Sequence, residues 1–187
     1  MNITKENINK LIEERKQTYN KIDDVVSAFN GENQISNDYN GRQILEIIQN
    51  ADDAQAKRID ISIDTNKHIL TIYNDGKPFS YEGIKSIMIA NTSSKVTSSY
   101  IGNKGLGFRS LIFWADKIQI HTGAFIFTFS RNEAVKFAEE LNINLDEIRR
   151  SRNLSPTCIP FPMLAIPDAE SDIYKKCSFN ILIFNVL

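Results

Sequence analysis

Three short segments of the chain carry residues whose types and spacing could bind phosphate groups or a metal ion. The first is LEIIQNADDA, residues 45–54. On a helix that turns about 100° per residue, Glu46, Asn50 and Asp53 fall within roughly 60° of one another, opposite the apolar stripe. The amide oxygen of Asn50 is a suitable Mg²⁺ ligand, and the carboxylate of Glu46 could deprotonate water. A solvated helix face carries the same residue types, so this segment alone leaves both interpretations open.

The second segment is IYNDGKPF, residues 72–79, in which a predicted strand runs into a polar end. Asn, Asp and Gly favour turns, but the turn at Asn66 already pairs this strand with the one before it, and a long irregular stretch follows. Such a strand end is a common place for a ligand. Asn74 shares strand parity with Ile72, so its side chain is predicted to point toward the packed layer while Asp75 points away. The alternative is that Asn74 merely caps the turn.

The third segment is IGNKGLGFRS, residues 101–110, with glycines at Gly102, Gly105 and Gly107 directly before a predicted helix. Glycine lets the backbone approach an anion, and the N–H groups at a helix start point at it, so this segment could cradle phosphate. Its spacing differs from GxGxxG, and the chain has no GxxxxGK[ST] loop, which excludes a P-loop NTPase. A glycine triplet by itself is a weak signal.

The elements that must position these segments follow from the spacing of apolar residues. Helical spacing predicts helices over residues 4–29, 41–57, 81–90, 109–114 and 132–141, with Asn132 as the cap of the last. Alternation predicts strands over residues 59–64, 69–74, 117–121, 125–130 and 179–186. Residues 30–40 are predicted to form a loop, and residues 142–176, which contain a cluster of three arginines, have a mixed pattern. The order predicts an α/β sandwich with a mixed sheet and helices on one face.

Composition narrows the function classes. The chain has 187 residues, 42% of them apolar and 24% charged, and a net charge of −1, which favours one globular domain and does not indicate a dedicated nucleic-acid binder. Cys158, Cys177 and two histidines are too few for a disulfide framework or a structural zinc site. The polar N-terminus is not a signal peptide, and no apolar run is long enough to span a membrane. We therefore expect a cytoplasmic location and no membrane partner.

Taken together, the three segments resemble the GHKL superfamily, which includes gyrase-type topoisomerases, the ninety-kilodalton heat-shock chaperone, histidine kinases and MutL. The first family motif, ExxxNxxDA, is matched by Glu46, Asn50, Asp53 and Ala54. The third, GxxGxGF, is matched by Gly102, Gly105, Gly107 and Phe108. The sequence around the first motif looks most like sacsin-type ATPase modules, and the segment from Asn91 to Lys95 is similar to the lid of the chaperone branch.

The resemblance implies a Bergerat fold, an α+β two-layer sandwich with a mostly antiparallel sheet. It implies one nucleotide-binding domain over residues 1–187, with a helical extension at 1–35 and an ATP lid at 77–107, cut from a longer protein. ATP or ADP and Mg²⁺ would be the ligands, Glu46 the general base and Asn50 the metal ligand. The other implied nucleotide contacts are Asp53, Asn74, Gly76, Lys95, Gly102, Lys104, Gly105, Leu106, Gly107, Phe108 and Thr128.

The second motif departs from the family pattern. The family usually has Asp-x-Gly-x-Gly there, whereas this chain has Asn74 in place of the adenine-reading Asp and Pro78 in place of the second glycine. The resemblance implies a slowly ATP-hydrolysing conformational switch, chaperone-like or sacsin-like, which acts on protein clients or further domains and dimerises with ATP. The alternatives are a nucleotide-binding module without turnover and the ATPase part of a nucleic-acid-processing machine. A histidine kinase is disfavoured, because the sequence shows no pair of dimerisation helices with an exposed acceptor histidine.

Overall fold

The structure is a computed structural model that describes residues 3–38, 41–89, 106–171 and 177–186. Its helices are α1 (Lys5–Thr18), α2 (Ile22–Asp38), α3 (Gln43–Asp53), α4 (Tyr81–Ile89), α5 (Leu106–Arg109), α6 (Arg131–Glu140) and α7 (Leu145–Ser151), and a 3₁₀ turn follows α5 at Ser110–Phe113. Its strands are β1 (Ile59–Asp64), β2 (Ile69–Asn74), β3 (Ala115–Gly123), β4 (Phe125–Ser130), β5 (Asp168–Ser171) and β6 (Cys177–Val186).

The strands form one six-stranded sheet in the order β1-β2-β6-β3-β4-β5. The last strand, β6, lies between the hairpins β1-β2 and β3-β4 and is antiparallel to both of its neighbours. Every pairing of the described strands is antiparallel, so the predicted two-layer sandwich is confirmed and its sheet is more uniform than the mixed one expected. The register brings Asn74 opposite Asn180, and Asn180 opposite Thr122, in one row across three strands.

One face of the sheet is covered by helices. Alternate residues of the strands are buried there, and they share one core with residues from α1, α3 and α4: Leu70, Ile72, Ile118, Ile120, Phe127, Phe129, Leu182 and Phe184 from the sheet, and Ile8, Leu11, Ile47, Ile84, Ile87 and Met88 from the helices. Asn74 follows Leu70 and Ile72 on this covered face, as strand parity predicted, and is 6% exposed. A polar side chain therefore occupies a covered position at the end of β2.

The prediction of a loop over residues 30–40 is wrong for its larger part, because α2 continues to Asp38. Glu32, near the start of the expected loop, is buried, and its carboxylate accepts hydrogen bonds from the backbone N–H groups of Met163 (2.6 Å) and Leu164 (2.9 Å) and from Arg109 (3.3 Å). These distant partners stabilise a helix that the Asn-, Gly- and Ser-rich sequence does not favour. The N-terminal helices are part of the folded body.

Other boundaries also differ from the prediction. Ser130 rather than Asn132 caps α6, since its hydroxyl accepts from the Glu133 N–H at 3.0 Å. The arginine cluster lies at the end of α7, a helix that the mixed pattern of 142–176 did not predict, and Arg149 there bonds Asp146. In the described ranges, no helix is long and apolar enough to cross a membrane.

Candidate functional site

A cavity of about 250 Å³ lies between α3, the end of β2 and β6, and the segment that leads into α4. It gathers residues that are far apart in the chain. Those from α3 and its C-terminus are Ile47, Asn50, Ala51, Asp53 and Ala54; those from the strands are Asn74, Asn180 and Leu182; the remainder are Lys77, Pro78, Phe79, Ser80, Gly83, Ser86, Ile87 and Phe108. All three sequence motifs therefore contribute to one concave site.

The α3 wall carries the polar residues of the first motif. Asn50 and Asp53 line the cavity, and Asn50 is half-buried. Its carboxamide makes no hydrogen bond with the residues that the structure describes, and it borders the cavity. Glu46 lies one turn earlier on α3, half-buried, and is not among the residues that line the cavity.

The floor of the cavity is a hydrogen-bond network across three strands. Asn180, which is 1% exposed, donates from Nδ2 to Oδ1 of Asn74 (3.1 Å) and to the backbone oxygens of Gly76 (3.3 Å) and Lys77 (3.0 Å). Its Oδ1 accepts from the Thr122 hydroxyl at 2.7 Å. Thr122 Oγ1 in turn accepts from the Phe79 N–H at 2.8 Å. The network ties the segment after β2 to β3 and β6.

Gly76 lies where the chain passes closest to the end of α3. A Cβ at this position would be 2.9 Å from Cβ of Ala54, closer than real Cβ atoms approach, and a tight 3.0 Å from Oδ1 of Asn74. The Lys77 N–H donates to the Ala54 oxygen at 2.8 Å, which holds the two segments together. Only glycine fits this position without a shift, and the reason is this close approach.

Asp75 points away from the cavity and serves a different purpose. Its Oδ1 accepts from the backbone N–H groups of Arg58 (2.9 Å) and Lys57 (2.7 Å), in the connection between α3 and β1. These two hydrogen bonds hold the pKa of Asp75 below its usual value, and the bond from Arg58 has the larger effect. The helix α3 ends at Asp53 rather than near Lys57 as predicted, since Gln55 has a positive φ of 61° and the Ala56 N–H donates back to the Ala51 oxygen at 2.9 Å.

The third motif reaches the site through Phe108, which is buried in the core and lines the cavity. Leu106 and Gly107 open α5. The other predicted contacts of this region, Lys95, Gly102, Lys104 and Gly105, lie outside the described residues. Of the predicted lid at 77–107, the part in α4 is packed into the core through Ile84, Ile87 and Met88.

Thr128 is not brought to the site. It pairs with Gln119 across β3 and β4, on the opposite face of the sheet from Asn74, and its hydroxyl accepts from Gln119 Nε2 at 3.2 Å. The strand threonine at the cavity floor is Thr122, whose neighbour in the register is Asn180. Neither residue was predicted. Asn180 carried a sequence signal, because it shares parity with Leu182 and Phe184 and is the polar member of an apolar strand face.

The donor set suits Mg²⁺ held together with phosphate. The described residues contain no cluster of three or more His, Cys, Asp or Glu that could hold a metal ion on protein ligands alone. Mg²⁺ often takes only one or two protein oxygens, and substrate phosphates and water complete its shell. The amide oxygen of Asn50, which bonds none of the described residues and lies beside the cavity, fits that requirement.

Comparisons with known proteins show the family to which the chain belongs. Residues 41–155 match the family model described as histidine kinase-, DNA gyrase B- and HSP90-like ATPase. Protein NO VEIN of Arabidopsis thaliana is 31% identical over 94 residues, which are 48% of this chain and 3% of that protein. A solved structure described as the N-terminal domain of a DNA repair protein covers 83% of this chain and 39% of its own, at 13% identity and a TM-score of 0.45. The chain belongs to the histidine kinase-, DNA gyrase B- and HSP90-like ATPase family, a family of ATP-binding domains.

Proposed function

We propose that this chain is a Mg²⁺-dependent ATP-binding and slowly ATP-hydrolysing domain that acts as a conformational switch in a chaperone-like or sacsin-like protein. One observation carries the proposal: a single cavity collects Asn50 and Asp53 from the first motif, Asn74 from the second and Phe108 from the third. Three motifs that separately have ordinary structural explanations meet at one concave site.

The cavity walls suit a nucleobase. Apolar side chains from α3, α4, α5 and β6 line it, namely Ile47, Ile87, Phe108 and Leu182, and flat aromatic ligands bind well between such walls. Asn74, at the floor, would contact the polar edge of the base. Asn50 would hold the metal beside the phosphates, and the glycines of the third motif would wrap the phosphate groups.

Hydrolysis would need one proton transfer by the protein. A water oxygen attacks the γ-phosphorus, the bond from that phosphorus to the β,γ-bridging oxygen breaks, and ADP leaves. Glu46 takes a proton from the attacking water, and loss of such a base typically lowers the rate about 10²–10⁴-fold. Bound Mg²⁺ supplies neutralisation of phosphate charge. The role of Asn50 is to hold the metal, and that of Glu46 is to move the proton.

A second candidate is a module that binds nucleotide without turnover. The observation that favours it is the position of Glu46, which is not among the residues lining the cavity. In either case the switch would act on protein clients, on further domains or on a second copy of the chain. Sedimentation with a non-hydrolysable ATP analogue should detect nucleotide-driven dimerisation.

Two paired measurements test the proposal. Calorimetric titration with ADP should give saturable binding in Mg²⁺ and much weaker binding in EDTA. Asn50→Ala should reproduce the EDTA result, whereas Gln49→Ala, an exposed neighbour on the same helix, should bind like the wild type. No heat from any nucleotide at millimolar concentration would refute the nucleotide site.

Phosphate release then separates the two candidates. Glu46→Gln should bind ATP normally and lose turnover, while Asp52→Asn, an exposed acidic residue of α3, should keep it. Nucleotide binding without phosphate release in the wild type would select the module without turnover. Equal turnover in Glu46→Gln and the wild type would remove Glu46 from the mechanism.

A further inference from the structure

The geometry points to a nucleobase pocket that reads its ligand with a hydrogen-bond donor, the carboxamide N–H₂ of Asn74. We infer that the pocket accepts a 6-oxopurine nucleotide, of the hypoxanthine or guanine type, at least as well as an adenine nucleotide. The inference rests on the proposed function, because it concerns which purine the same cavity takes. It follows from the polarity of the network at the cavity floor.

Backbone carbonyls fix the orientation of the Asn180 amide. The oxygens of Gly76 and Lys77 can only accept, and they lie 3.3 and 3.0 Å from Nδ2 of Asn180, so the nitrogen must be on their side. The Asn180 oxygen then faces Thr122, whose hydroxyl accepts from the Phe79 N–H and is free to donate its own hydrogen to Asn180. The positions of the Asn180 nitrogen and oxygen are therefore fixed by separate partners: the nitrogen by two backbone oxygens, and the oxygen by the Thr122 hydroxyl, which itself bonds the Phe79 N–H.

The orientation of Asn74 follows in the same way. The Gly76 N–H can only donate, and it lies 3.2 Å from Oδ1 of Asn74. The second neighbour of that atom is Nδ2 of Asn180, at 3.1 Å, which is also a donor. A flipped amide would place N–H₂ against both donors. The Asn74 oxygen therefore accepts its hydrogen bonds from protein groups, Gly76 and Asn180.

The remaining end of Asn74 is its amide nitrogen. Asn74 is 6% exposed and lines the cavity, and Nδ2 makes no hydrogen bond with the residues that the structure describes. Because Asn74 lines the cavity and its Nδ2 bonds none of the described residues, a ligand that supplies an acceptor there would gain a hydrogen bond. The family's carboxylate at this position is an acceptor, and this chain presents the opposite polarity.

This polarity changes the expected contact with the base. An Asp at this position would accept from the 6-amino group of adenine, whereas the oxygen of Asn74 already accepts from Gly76 and Asn180. A 6-amino group is a donor and would meet another donor, whereas the O6 of hypoxanthine or guanine accepts. Adenine can still use its ring N1 as an acceptor, so adenine nucleotides are not excluded.

The substitution Asn74→Asp replaces the hydrogen-bond donor Nδ2 with an acceptor oxygen and leaves the other end of the side chain an acceptor. One carboxylate oxygen keeps the bonds from Gly76 and Asn180, and the other replaces the donor with an acceptor of the same size. Asp75→Asn is the matched control, because Asp75 is adjacent and exposed and bonds the α3–β1 connection instead of the cavity floor. Circular dichroism melting would verify that both variants fold.

The experiment titrates ADP and IDP, each with Mg²⁺, into the wild type and both variants. We expect the wild type and Asp75→Asn to bind IDP at least as tightly as ADP. Asn74→Asp should shift the ratio of the two affinities toward ADP by about 5- to 100-fold, the effect of exchanging a matched for a mismatched buried partner. An unchanged ratio, or a wild type that binds ADP more tightly than IDP, would overturn the inference.

Purine riboside diphosphate, which lacks the 6-amino group, provides the test on the wild type alone if Asn74→Asp does not fold. Binding equal to that of ADP supports the inference, because the 6-amino group then contributes nothing. Binding weaker than that of ADP by more than about tenfold overturns it. If none of the three nucleotides binds, the proposed function fails together with the inference, whereas tight binding of ADP alone leaves the proposed function standing.

Discussion

Asn180→Ala is the substitution with the largest expected effect on the cavity floor. The side chain is 1% exposed and makes three hydrogen bonds of 3.1 Å or shorter, to Asn74, Lys77 and Thr122, besides a longer one to Gly76. A net contribution of about 1 kcal/mol for each good bond gives a loss of about 3 kcal/mol. The free energy of unfolding of a domain is typically about 5–15 kcal/mol, so the variant should still fold.

Urea denaturation measures this loss, and the chain offers a matched control. Asn185 lies on the same strand, is exposed and points to the opposite face, so Asn185→Ala should change the free energy of unfolding by less than about 0.5 kcal/mol. Asn180→Ala should shift the midpoint with little change in slope. It should also weaken nucleotide binding, because Asn74 loses the partner that orients it.

Equal urea midpoints for Asn180→Ala and Asn185→Ala would contradict the predicted loss of stability, since they would mean that the hydrogen bonds of Asn180 do not stabilise the fold. A loss of stability with unchanged nucleotide affinity would separate the two roles. It would leave Asn180 as a structural residue and remove it from the positioning of Asn74.

Three further substitutions have definite expected outcomes. Gly76→Ala places a Cβ 2.9 Å from that of Ala54, so we expect a loss of about 1–3 kcal/mol and weaker nucleotide binding; wild-type behaviour in both assays would contradict the close approach. Two backbone N–H groups lower the pKa of Asp75, so its stabilising effect is present above the unfolded value of about 4 and is lost as the pH falls further; Asp75→Ala should destabilise at pH 7 and much less at pH 2. Arg109→Met leaves the carboxylate of Glu32 buried without its ion-pair partner and should cost about 3–5 kcal/mol at pH 7. Burial raises the pKa of Glu32, so the loss in Arg109→Met should grow as the pH rises above about 4.5, the value of an unfolded Glu, and a loss independent of pH would argue against a buried charge.

The parts of the fold that depend on local pattern could be predicted from the sequence. Alternation along β2 is a local property, and it placed Asn74 on the covered face and Asp75 on the other. The hairpin from β1 to β2 was likewise predicted, because Asn66 and Lys67 form the turn by donating to Asp64. These features need only the residues within a few positions of each other.

The parts that depend on distant partners could not be predicted. Asn180 bonds Asn74 across 106 positions and Thr122 across 58, and only the strand order places β6 between them. Glu32 is paired with Arg109 across 77 positions, and this contact extends α2 through a segment with loop-like composition. Local propensity loses to tertiary contacts at both places.

The side chain of Thr128 illustrates a different limit. The strand was predicted correctly as Phe125–Ser130, but the face that each residue occupies depends on the register with β3. That register puts Thr128 opposite Gln119 and away from the cavity. A shift of one residue would reverse every side chain of the strand, so a strand prediction alone does not assign a contact.

A crystal structure of the protein grown with ADP and Mg²⁺ would show where the nucleotide lies. We expect a purine enclosed by Ile47, Phe108 and Leu182, with its edge on Nδ2 of Asn74. We also expect the oxygen of Asn50 at about 2.1 Å from the metal ion. A nucleotide bound elsewhere, or a base that contacts Asp75 instead of Asn74, would contradict this expectation.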